Sequence, residues 1–187
     1  MTNSKMSSIT ALIAVAAVAV VLAAPGAALG QSAASSDPTD AGKAVFKRAN
    51  CFGCHKWHGN GGGGYGGDAL SLRKTDLTRE QITETVACGR PGTGMPFFTR
   101  GAYDTVNCYG MNRQDVGSQI PPEGGTFLRP NDIEAVADYV IAHIKDRGEP
   151  NYAECVNFFG DTSRVCDVYK TPAAPVAGAA PSTGSSK

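Results

Sequence analysis

The chain lacks an excess charge of either sign: 17 Lys and Arg stand against 17 Asp and Glu over 187 residues. Nucleic-acid binders need a clustered basic surplus, so nothing here points to nucleic acid. Histidine is scarce, with only His55, His58 and His143, and no convincing acid/base pair can be assembled around them. No second Cys or His pair at ligand spacing accompanies the one Cys-x-x-Cys, which argues against a zinc site. The stretch 59–67 holds seven glycines but lacks the Lys followed by Ser or Thr that a phosphate-binding loop requires. No internal repeat is apparent.

Long apolar runs are also missing, except at the start. Ile9 to Ala24 is uncharged, follows Lys5 and precedes the small residues Ala28-Leu29-Gly30. This pattern reads as a secretory signal over residues 1–30, cut near Gln31. The run is short for a membrane span and would serve as an anchor only if retained. No cysteine opens the mature region, which argues against a lipid anchor. Losing Lys5 leaves the mature chain one unit negative.

What the sequence does have is Cys51-Phe52-Gly53-Cys54-His55. Two thiols three positions apart can each add to a haem vinyl group, and the adjoining imidazole then reaches the iron. A redox Cys pair would not need His55. Six cysteines thus divide into two for haem and four left over, and in an exported chain an even remainder favours disulfides. Three pairings of Cys88, Cys108, Cys155 and Cys166 are possible. Sequence proximity favours Cys88 with Cys108 and Cys155 with Cys166, each loop closure contributing on the order of 3 kcal/mol.

At the Cys51–His55 motif the chain resembles the class I (monohaem) c-type cytochrome family. The resemblance implies a second axial ligand downstream, a methionine followed by proline in a loop, and Gly92-Thr93-Gly94-Met95-Pro96 supplies it. Met111 competes but has no following proline. The implied fold is all-α: a cytochrome c-like helical domain around one covalently bound haem c, with Cys51 and Cys54 as attachment points and His55 and Met95 as iron ligands. The implied activity is single-electron transfer in the periplasm, not enzyme catalysis. A dehydrogenase would be the donor and an oxidase or another cytochrome the acceptor. The rivals are a cytochrome subunit of a larger oxidoreductase, and a haem enzyme or sensor with an open iron site.

The remaining sequence gives an outline. A flexible leader covers 31–37, the cytochrome c domain 38–150 with an insert over 99–130, a disulfide-tied appendix 151–170 and a disordered tail 171–187. Helices are expected over about 38–49, from a Thr78 cap with Gln81 as its capping-box partner to about Gly89, and from Pro130 to about Arg147. The last carries Ile133, Val136, Ala137, Val140, Ile141 and Ile144 at helical spacing. Gly42 and Phe46, one turn apart, suit a close helix crossing, and the family resemblance makes Tyr139 their partner. Phe97 and Phe98 are expected to shield the haem edge, Trp57 to pack at that edge or to donate a hydrogen bond, and Arg90 is either a partner for a haem propionate or a solvated surface residue. His58 is expected to be a surface or loop residue titrating near neutrality, and neither it nor His143 is a favoured ligand.

Overall fold

The computed structural model describes residues 37–63 and 69–170. The expected signal segment 1–30, most of the leader, the tip of the glycine loop and the tail 171–187 lie outside the described residues. Within them the secondary structure is helical, with two isolated bridges and no strand. No described helix is long and apolar enough to cross a membrane.

The first helix, α1, spans Asp40–Arg48. The Asp37 carboxylate accepts hydrogen bonds from the Thr39 backbone N–H at 2.9 Å and from its hydroxyl at 2.5 Å, shaping the turn that enters the helix. Lys47 and Arg48 close the last turn, where positive charge complements the helix dipole. Thr78 caps α3, Arg79–Cys88, in the expected box: its hydroxyl accepts from the Gln81 N–H, and the Gln81 side chain accepts from the Thr78 N–H at 2.9 Å. After the short helix α4, Arg113–Val116, the long helix α5, Pro130–His143, crosses both α1 and α3.

The α1/α5 crossing is as close as Gly42 and Phe46 predict. A Cβ built on Gly42 would lie 2.0 Å from the Ala135 carbonyl oxygen, so only hydrogen fits there. One turn on, the Phe46 ring meets Tyr139 at 5.6 Å between centroids. Val45, Ile82, Val86, Val136 and Val140 complete the core of this crossing.

The α5 helix stops four residues short of the expected Arg147. The Asp146 N–H donates to the Arg73 carbonyl at 3.0 Å with Asp146 at φ +58°, so a tertiary partner ends the helix. Ile144 is buried just past the end, whereas Ile141 is exposed, one residue beyond Val140 and so turned about 100° off the stripe.

Two further pieces complete the fold, each closed by an expected disulfide. Cys88–Cys108 ties the insert to the end of α3, and Cys155–Cys166 joins α6, Tyr152–Phe159, to a 3-10 turn at Arg164–Tyr169. The insert has a small apolar centre of its own, formed by Cys88, Phe97, Ala102, Tyr103, Cys108 and Val116. From α6, Phe158 enters the main core and is only 3% exposed. The segment 151–170 therefore shares the core of the helices before it.

Candidate functional site

The short helix α2, Cys51–His55, is bounded by two non-glycine residues in the left-handed region, Asn50 at φ +58° and Lys56 at φ +62°. Asparagine tolerates this conformation better than most residues. The sharp turns detach one helical turn from α1 and present Cys51 and Cys54 to a cleft of about 300 Å³. Met95, Pro96 and Phe98 line the same cleft, together with Arg48, Asn50 and Thr126. The lining is mostly apolar.

Among the described cysteines these two alone are free, since the other four form disulfides. Burial among apolar groups pushes the Cys51 thiol up to about 12, although the residue as a whole is half-buried. A redox cysteine pair needs a thiolate near neutral pH, so this environment opposes that chemistry. Two thiols and a thioether lining one apolar cleft fit a covalently attached haem.

His55 is not part of the cleft lining. Its Nδ1 lies 3.1 Å from the Leu70 carbonyl, which can only accept, so Nδ1 carries the proton and Nε2 is left with a free lone pair. Burial pushes the imidazole below its ordinary range, opposed by this hydrogen bond. Gly61, in the described part of the glycine stretch, packs beside His55. The Gly61 N–H donates to the His55 carbonyl at 3.1 Å, and a Cβ on Gly61 would lie 2.1 Å from the Ala69 carbonyl oxygen.

The methionine loop is closed across its base. The Arg90 N–H donates to the Met95 carbonyl at 3.2 Å, and the Met95 N–H donates to the Thr93 hydroxyl at 3.2 Å. Gly89, at φ +67°, packs so tightly that a Cβ would come within 2.7 Å of the Met95 carbonyl oxygen.

Several expectations need correction. Arg90 is exposed and absent from the cleft lining; the arginine at the cleft is Arg48, which also pairs with Asp132 at 2.8 Å. Phe97 points into the centre of the insert, because its N–H and carbonyl bond to Pro122 and Gly124, so only Phe98 of the two lines the cleft. Trp57 packs against Phe158, Phe159 and Tyr169 and is absent from the cleft lining. His58 is half-buried: its Nδ1 accepts the Asn60 N–H at 3.1 Å, and burial followed by Arg73 and Lys56 holds it below its ordinary pKa. Met111 packs against the insert, and the His143 Nε2 meets the Thr39 hydroxyl at 2.5 Å. The sequence reading missed Arg48, Asn50 and Thr126; an Asn directly before the first Cys was the one available signal, because it suits a left-handed turn.

Residues 37–109 match the family model described as cytochrome c oxidase, cbb3-type, subunit III. No curated protein matches the chain. Among solved structures the chain is similar to oxidised cytochrome c6A from Arabidopsis thaliana, at 25% identity over 61% of this chain and 96% of that one, with a TM-score of 0.41. The family match takes in α1, α2, α3 and the methionine loop, and ends before α5 and α6.

Proposed function

We propose that this protein is an exported, periplasmic carrier of single electrons, with one haem c attached through Cys51 and Cys54 and ligated by His55 and Met95. The observation that carries this reading is the convergence of the only free thiols of the described residues and Met95 on one apolar cleft. The chemistry supplied at such a site is a one-electron iron couple.

The chain's own residues do the rest. Cys51 and Cys54 would hold the cofactor covalently at α2. The Leu70 carbonyl fixes the His55 tautomer that leaves Nε2 free to bind a metal. Met95 offers a soft thioether in the same cleft, and Pro96 and Phe98 exclude water beside it. His55 and Met95 would both hold the iron of a bound haem, leaving no open site for a substrate, which favours transfer over catalysis. Asp132 lies between Arg48 and Arg129, at 2.8 and 3.2 Å, and leaves one net positive charge beside the cleft. Contact with redox partners takes place at this mouth, over a small and brief interface. The donor is a dehydrogenase-type protein and the acceptor an oxidase or another cytochrome.

A second reading is favoured by the family match: the chain works as a fixed cytochrome subunit of an oxidase-type complex. Stable co-purification with such a complex separates it from a free carrier. The ligand set is tested by the visible spectrum of matured protein, oxidised and reduced. The expected result is a weak far-red band in the ferric form that vanishes in Met95→Ala, with no response of the reduced wild type to carbon monoxide. Ready carbon monoxide binding without the band would overturn the reading in favour of an open iron site.

A further inference from the structure

The insert is the part of the chain with no role so far, and its hydrogen bonds converge on one place. The Tyr103 hydroxyl donates to the Cys88 carbonyl at 2.8 Å, and the Tyr109 hydroxyl donates to the Gly89 carbonyl at 2.6 Å. These two carbonyls are where the chain leaves α3 and enters the methionine loop. Further along, the Gly92 N–H donates to the Gln119 carbonyl at 2.7 Å, and the Phe97 N–H to the Pro122 carbonyl at 3.0 Å. The insert therefore grips the backbone on both sides of Met95. The Cys88–Cys108 disulfide fastens the same junction covalently.

Both tyrosines sit in the left-handed region, Tyr103 at φ +65° and Tyr109 at φ +56°. L side chains rarely adopt this conformation, and it persists where the surroundings demand it. Here each strained residue sends its hydroxyl to the entry of the methionine loop. An ordinary surface loop has no use for such a pair.

We infer that the insert is the frame that holds Met95 in place, with Tyr103 and Tyr109 as positioning residues acting through the Cys88 and Gly89 carbonyls. The inference rests on the reading of Met95 as a ligand. Without one of these hydroxyls, a carbonyl at the foot of the loop loses its partner and moves toward water. The loop then samples positions in which the thioether no longer lies in the cleft with the thiols.

The test uses the matured full chain and compares Tyr103→Phe, Tyr109→Phe, Met95→Ala and the wild type. The readouts are the far-red band, the rate of carbon monoxide binding to the reduced form and the melting temperature. Each tyrosine variant is expected to weaken the band and to raise the carbon monoxide rate about 2- to 10-fold, the range of one hydrogen bond. Tyr109 is partly exposed, so its variant keeps the fold even if Tyr103→Phe does not. A lower melting temperature with band and carbon monoxide rate unchanged, while Met95→Ala alters both, would overturn the frame and leave the ligand reading standing. If Met95→Ala also alters neither, the ligand reading fails and the frame falls with it.

Discussion

The insert and the C-terminal segment are built by the same device and serve different neighbours. Each is a segment closed by one disulfide, over 20 residues in the first case and 11 in the second. The insert builds its apolar centre with Cys88 and Phe97, which flank the methionine loop, and gives its hydrogen bonds to the same loop. The C-terminal segment instead sends Phe158 into the main core. It is also bound by Arg73, which donates to the His58 and Gly148 carbonyls and pairs with Glu154. A disulfide therefore does not say what a segment is for; the destination of its side chains does.

The largest expected effect tests the core side of that contrast. Phe158 meets Phe46, Phe52 and Trp57 with ring centroids 6.1 to 6.3 Å apart, and the Lys47 ammonium lies 4.6 Å from its ring centre. Phe158→Ala should cost about 3–5 kcal/mol in denaturant unfolding, the range for emptying a buried aromatic site. The far-red band and the carbon monoxide response should not change. A changed spectrum would mean that the C-terminal segment also acts on the cleft, and the contrast would fail.

Opening the disulfides comes next. Cys88→Ser/Cys108→Ser and Cys155→Ser/Cys166→Ser should each cost about 2–4 kcal/mol, with the longer loop about 0.5 kcal/mol the more costly on chain entropy. The stability losses are similar, so the spectrum decides. Only the Cys88/Cys108 variant is expected to weaken the far-red band. Equal spectra for the two variants would remove the special link between insert and methionine loop.

What was legible in the sequence was local or carried by strong chemistry. The Thr78–Gln81 capping box lies within four residues, and the pairing of neighbouring cysteines follows from short loops. Gly42 and Phe46 announced a close crossing because a missing side chain beside a ring has few other uses. Cys51 and Cys54 stand out by their spacing, Met95 through the family resemblance, which implies a methionine before a proline, and the fold brings the three to one cleft. The illegible parts depend on distant backbone. Nothing in Phe97 tells that Pro122 and Gly124 turn it away from the cleft, or in Ile144 that Arg73 ends the helix. Trp57 was misplaced because its partners, Phe158, Phe159 and Tyr169, lie about 100 residues later.

The smallest effect separates the two parts of the molecule by charge. Hydrogen bonds from Arg48 and then Arg129 hold the Asp132 carboxyl below its ordinary 3.8, and Arg79 does the same for Asp138. In the insert, Arg113 holds Asp104 down, but both side chains are about half exposed, at 51% and 50%, against 18% for Asp132. A carboxyl whose folded pKa is depressed contributes stability that is present above its unfolded pKa and is lost as the pH falls through the folded one. Stability should therefore hold down to about pH 4 and decline below it. Water screens the exposed pair, so Asp104→Asn should leave the acid limb of the curve almost unchanged, whereas Asp132→Asn should flatten it. Chemical denaturation between pH 7 and pH 2 reads both. If Asp104→Asn flattened the curve as much as Asp132→Asn, the insert would be held by charge as firmly as the helices are, and its grip on the methionine loop would not rest on the disulfide and the two tyrosines.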